Sequence, residues 1–196
     1  GGNAVFAISI NSATGVVSVA QYESLKHPTG GASYDEAVTL GSTINAIVTV
    51  TDGDGDIATQ SVAIGSQIKF EDDGPSASIA ATGTTVTHDE SPGLTNDDVA
   101  GPLAVFAGVT TKSTDMVGFA QSAGAIVTSA GSSTGEDEEG ATTLFSLSIA
   151  NANSGLQTTD GDNVTLTLES GIVVGRDAGG NAVFAISINS ATGVVS

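Results

Sequence analysis

The sequence predicts an all-β chain, an antiparallel β-sandwich with little or no helix. Three observations carry that expectation. Apolar and polar residues alternate in short runs, β-branched residues fill those runs, and 26 glycines among 196 residues separate them. No 3.6-residue apolar period is sustained. Many short strands joined by turn residues pack as two layers, in an immunoglobulin-like or related arrangement.

Taken in order, alternation places strands at 5–11, 16–22, 37–40, 44–51, 59–64 and 67–71. Further strands are expected at 78–87, 103–110, 125–129, 142–149, 164–169, 172–176 and 183–189. The joints carry turn chemistry: Asn11-Ser12-Ala13-Thr14-Gly15, Asp52-Gly53, Ser154-Gly155, Asp160-Gly161 and Ser170-Gly171. Room for a helical turn or two remains near 99–106 and 115–121.

The chain contains the start of its own repeat. Gly1 to Ser18 reads GGNAVFAISINSATGVVS, and Gly179 to Ser196 reads the same eighteen residues, at an offset of 179 − 1 = 178. Identity over that length implies tandem repeats with a 178-residue period, so each repeat is a whole domain rather than a solenoid turn. A joint is expected in Phe70-Glu71-Asp72-Asp73-Gly74-Pro75, where a strand ends in three carboxylates and a Gly-Pro break follows. Residues 1–75 then form the C-terminal part of one repeat unit and 76–196 the N-terminal part of the next, with the linker near 71–76.

Charge narrows the function. Asp and Glu total 22 against 4 Lys and Arg, a net charge of −18 and a pI near 4.1. Binding nucleic acid needs a basic footprint, and attraction to an anionic membrane needs one too. Neither partner is expected, nor is membrane insertion, since no apolar run reaches the length of a span. With 39% hydrophobic residues and a mean hydropathy of +0.20, the chain is not of the disordered acidic type. There is no cysteine, which excludes disulfides and thiolate chemistry.

The strongest local signal is Thr51-Asp52-Gly53-Asp54-Gly55-Asp56. Two unit charges ~4 Å apart repel by about 4 kcal/mol at an effective dielectric near 20, so Asp52, Asp54 and Asp56 converge only around a cation. Oxygen ligands on a glycine turn suit Ca²⁺. The EF-hand template fails, because position 6 from Asp52 is Ile57 and position 12 is Ala63. Asp160 and Asp162 repeat the D-G-D pattern. Glu71, Asp72 and Asp73 at the joint, with Asp89 and Glu90 in His88-Asp89-Glu90-Ser91, are further candidate calcium ligands, and Asn96-Asp97-Asp98 lies beside them. A calcium ion shared across the joint would rigidify it. The run Glu136-Asp137-Glu138-Glu139 reads as a solvated loop.

No catalytic constellation is expected, and the chain reads as a non-enzyme. Gly131-Ser132-Ser133-Thr134-Gly135 matches G-x-S-x-G only formally, since that elbow needs a strand before it and a helix after it. His27, in Leu25-Lys26-His27-Pro28, reads as a loop histidine that packs or caps locally.

Read in permuted order from Asn163 to Pro75, the motifs form a series. They are V-x-L-x-L-E-S-G-x-V-x-G-R, A-V-F-A-I-S-I-N-x-x-T-G-x-V-S-V-x-Q-Y, L-K-H-P, A-V-T-L, V-T-V-T-D-G-D-G-D, A-I-G and F-E-D-D-G-P-S-A. This series resembles the long tandem repeat domain of giant type I-secreted RTX adhesins, and His88-Asp89-Glu90-Ser91-Pro92-Gly93 is similar to that family's opening motif. The resemblance implies a chain exported unfolded and folded outside by extracellular Ca²⁺, at the bacterial cell surface. It implies an extender, with neighbouring identical repeats in the same chain as partners and any glycan or surface ligand bound elsewhere in the parent protein. The alternative is a repeated glycan- or surface-binding module acting through avidity.

Overall fold

The computed structural model describes residues 2–31, 34, 36–112 and 116–196. These residues form β1 (Phe6–Ile10), β2 (Val17–Gln21), β3 (Ala37–Thr39), β4 (Asn45–Thr51), β5 (Ile57–Ala63) and β6 (Lys69–Glu71). They continue with β7 (Ala80–Ala81), β8 (Val127–Thr128), β9 (Asn153–Gln157), β10 (Asn163–Glu169), β11 (Ile172–Arg176) and β12 (Ala182–Ile186). Every ladder between these strands is antiparallel. The fold is all-β; among the described residues, helical backbone is confined to single 3-10 turns at Gly65–Gln67 and Ala104–Phe106. None is long and apolar enough to cross a membrane.

The chain separates into two compact units, Gly1–Ser76 with Ser133–Ala141, and Ala77–Ser132 with Thr142–Ser196. In the first unit, β1 and β2 form a hairpin from Phe6 opposite Gln21 to Ile10 opposite Val17. β4 and β5 form a second, from Asn45 opposite Ala63 to Thr51 opposite Ile57. β3 pairs with β6. The small core gathers at β6, where Phe70 and the preceding Ile68 are buried and the Phe6 ring packs 5.3 Å from that of Phe70. The joint glycine has a steric reason: a Cβ on Gly74 would run into the Tyr34 ring. The β4–β5 hairpin is different, with Ile47, Val48, Val50, Ile57 and Val62 all exposed.

The second unit is built on a four-stranded meander in the order β12-β11-β10-β9. Val164 and Val174 are its most deeply buried side chains. Val174 joins Phe106 and Val109 in a core that Leu103, Phe119 and Ile172 cover, with the Phe106 and Phe119 rings stacked at 6.3 Å. One side of the meander carries a bidentate ion pair, Arg176 Nε to Glu169 Oε1 at 2.7 Å and a terminal guanidinium nitrogen to Oε2 at 2.8 Å.

Several expected strands are corrected. Residues 103–110 were expected to alternate, but Leu103, Phe106 and Val109 turn inward at a spacing of three while Val105 is exposed. That spacing is a 3-10 turn, as the alternative expectation near 99–106 allowed. The second helical possibility, 115–121, does not form over its described residues, 116–121, where Ala120 instead bridges Asp98. Residues 142–149 form no strand; Phe145 donates to the Ser190 carbonyl at 2.8 Å, a bond without a ladder around it. The expected strand at 78–87 shrinks to β7. Conversely, Ser154-Gly155 reads as a turn but lies inside β9. Gly155 takes φ +75°, the β9–β10 register shifts between Asn163 and Thr165, and the Ser154 hydroxyl donates to the Val164 carbonyl at 2.6 Å. The turn residues mark a bulge.

Candidate metal centres

The β4–β5 hairpin closes through Asp52–Asp56. The Asp52 N–H bonds the Asp56 carbonyl at 3.0 Å and the Gly55 N–H returns to the Asp52 carbonyl at 3.3 Å. Gly55 sits at φ +101°, a conformation that disfavours a side chain. Asp52 Oδ1 accepts from the N–H groups of Asp54, Gly55 and Asp56 at 3.3, 3.1 and 2.8 Å. A hydrogen bond with the Asp54 carboxyl, then the Asp56 N–H, hold Asp52 below the ordinary carboxylate range. One oxygen from each of Asp52, Asp54 and Asp56 lies within 4.8 Å of the others, and all three residues are exposed.

Two other loops repeat this backbone. In Thr158–Asp162 the Thr158 N–H bonds the Asp162 carbonyl at 2.9 Å, Gly161 bonds back to Thr158 at 3.0 Å, and the Thr158 hydroxyl accepts from the Asp162 N–H at 3.1 Å. In Asp177–Asn181 the corresponding bonds are 3.0, 3.1 and 2.8 Å. Gly161 and Gly180 take φ +92° and +82°. The loops differ in their donors. Asp177 and Asn181 satisfy each other, with the Asn181 amide donating at 2.9 Å. Asp160 and Asp162 are exposed and lack a third carboxylate. Of the three loops, only Asp52–Asp56 gathers three acids.

The acids at the end of β6 go separate ways. Asp72 converges with His27 and Glu36, each half-buried, with one ligand atom from each within 4.8 Å of the others. Asp73 accepts the Glu136 N–H at 3.1 Å, which anchors the acidic loop. Glu71, Asp72 and Asp73 line a cavity of about 460 Å³ with Glu136, Asp137 and Glu139. All four acids of the run Glu136-Asp137-Glu138-Glu139 are exposed, and three of them line that cavity.

Asp89 and Glu90 are not brought together as ligands. Asp89 accepts from the Ser91 N–H at 2.8 Å and from the Asn96 amide at 2.9 Å. Asp98 accepts the Asp89 N–H at 3.1 Å, and Asp97 accepts the Thr87 N–H at 2.7 Å. Asp89 is held low first by the Ser91 N–H and Asp98 first by the Asp89 N–H. These carboxylates tie a knot of backbone, with their oxygens turned to N–H groups. Glu90 lines a separate, largely apolar cavity of about 420 Å³ in the second unit. Ser133, at the centre of the formal G-x-S-x-G, pairs with Ser76 in an isolated bridge and accepts the Gly135 N–H at 3.2 Å.

Sequence reading missed Glu36 and took His27 for a local packing residue. The signal for Glu36 was present: it immediately precedes the strand Ala37–Thr39 as Asp72 immediately follows Lys69–Glu71. Antiparallel pairing of the two places them opposite each other. A family model described as a domain of unknown function (DUF5801) matches residues 1–65 and 85–196. No curated protein matches the chain, and no solved structure does.

Proposed function

We propose that this chain, which belongs to the DUF5801 family of domains of unknown function, is a calcium-stabilised structural extender repeat of a secreted bacterial surface adhesin. The observation that carries the reading is the recurrence of eighteen identical residues at an offset of 178. Spacing an adhesive tip from a cell needs number rather than diversity, and near-identical repeats supply number. The acidic, cysteine-free composition suits export before folding. The Asp52–Asp56 loop supplies the calcium step: its three exposed carboxylates, within 4.8 Å, fit an ion that accepts oxygen ligands in loose geometry. Calcium bound to the folded state alone stabilises it by about 2.7 kcal/mol at a hundredfold excess over Kd.

The test is thermal unfolding of the chain and of Asp54→Ala, each in calcium and in chelator. Calcium should raise the Tm of the unaltered chain, and Asp54→Ala should lose most of that increment while matching the parent in chelator. Equal losses in both conditions would exclude the loop as the calcium site. A glycan array distinguishes the extender from a repeated binding module, because an extender captures no glycan.

A further inference from the structure

The β3–β6 ladder runs Thr39 opposite Lys69, Val38 opposite Phe70 and Ala37 opposite Glu71. Extending it by one residue sets Glu36 opposite Asp72, and the Asp72 N–H bonds the Glu36 carbonyl at 3.3 Å. Like charges directly opposite on paired strands destabilise the pair. Both side chains are nevertheless half-buried there, where water screens them less. A cation between the two would relieve that repulsion.

His27 supplies the third corner. The Thr29 N–H donates to Glu36 Oε1 at 3.0 Å, which ties the segment carrying His27 to the strand pair. A ring nitrogen of His27 joins one oxygen each of Glu36 and Asp72 within 4.8 Å. Independently, His27 Nδ1 is buried with no hydrogen-bond partner among the described residues. Buried polar atoms are nearly always satisfied, and a metal ion bound at Nδ1 would satisfy this one.

We propose that His27, Glu36 and Asp72 form a binding site for a divalent transition-series cation of the zinc class, separate from the Asp52–Asp56 loop and independent of its calcium. The donor set argues for the metal. Imidazole nitrogen suits zinc and its neighbours, whereas Ca²⁺ prefers six to eight oxygens. Three protein ligands with a position left for water is a common zinc arrangement. Zinc with bonds of about 2.0–2.1 Å holds tetrahedral ligand atoms roughly 3.4 Å apart, so the three need close by at most about 1.4 Å. His27 and Asp72 also line the acidic cavity, beside Glu23, Glu71 and Asp73, which gives a cation a path in and a field that concentrates it.

The experiment titrates zinc chloride into the full metal-stripped chain in the presence of excess calcium, by calorimetry, and follows the ring nitrogens of ¹⁵N-histidine-labelled protein. One zinc per chain should bind despite the calcium, with a change in the His27 nitrogen resonances. His27→Ala and Asp72→Asn should each weaken binding by at least about tenfold, while Asp54→Ala leaves it unchanged. Zinc binding as strong in His27→Ala as in the parent, displacement of zinc by calcium, or unmoved His27 resonances would each overturn the proposal. The resonance measurement uses the unaltered chain, so it decides the matter even if His27→Ala fails to fold.

Discussion

At the scale of single residues, the side chain at a given loop position decides what a shared backbone can do. Asp52–Asp56, Thr158–Asp162 and Asp177–Asn181 close with the same bonds, yet one presents a triad of acids, one a pair and one a self-satisfied Asp–Asn contact. Glu169 shows the same dependence on partners. Its hydrogen bonds from Arg176 first, and then from the Thr167 hydroxyl, pull its pKa down to about 2 from 4.5. A carboxylate depressed in the folded state stabilises it above the unfolded pKa and loses that contribution as pH falls through the folded one. Glu169→Gln should therefore lower the Tm clearly above pH 5 and progressively less between about pH 4.5 and 2. Melting curves across that range, taken in chelator, check it; a pH-independent loss would mean the ion pair contributes nothing through its charge.

At the scale of elements, alternation marked the strands but not which faces would be covered. In β11 the three central residues, Val173, Val174 and Gly175, are all buried, because neighbours lie on both sides and the core lies across one face. In β4 and β5, with one partner each, the same β-branched composition stays exposed. Gly175 is the tightest point of the meander: a Cβ there would lie 2.6 Å from the Phe184 ring and 2.9 Å from a Val164 methyl. Gly175→Ala should cost about 1–3 kcal/mol through overpacking and lower the Tm by several degrees. Gly108→Ala, with nothing within 4 Å of the added carbon, is the matched control, and equal Tm values for the two variants would refute the packing argument. The expected strands at 103–110 and 142–149 failed for tertiary reasons: one turns its apolar residues inward at a spacing of three, the other has no ladder to join.

At the scale of the whole molecule, the repeated eighteen residues place one peptide in two surroundings. In the first unit Ser9 is exposed and Val17 half-buried, in a two-stranded hairpin. In the second, the equivalent Ser187 and Val195 are buried, and Ser187 directly follows β12, the end strand of a four-stranded sheet. Isolated hairpins are marginal, whereas larger sheets protect their amides. Hydrogen exchange followed by NMR, which resolves the two copies, should find the Ser187 amide exchanging slower than Ser9 by at least about tenfold. Equal rates would show that local sequence alone sets the protection.

Those two copies also separate what the sequence determined from what only the tertiary structure decided. The turn was local. Asn11 and Asn189 each accept two backbone N–H groups through Oδ1 at 3.0–3.1 Å, Gly15 and Gly193 take φ +73° and +74°, and Ile10–Val17 and Ile188–Val195 pair in the same register. Asn, Gly and β-branched residues carry that geometry wherever they stand. The acid triad of Asp52–Asp56 was legible for the same reason, since its ligands are neighbours in sequence. The company of β1 and β12 was not local: one borders β2, the other β11, and burial followed from that choice. The His27–Glu36–Asp72 cluster belongs to the same class, because Asp72 lies far from the other two in sequence and meets them only once β3 and β6 have paired.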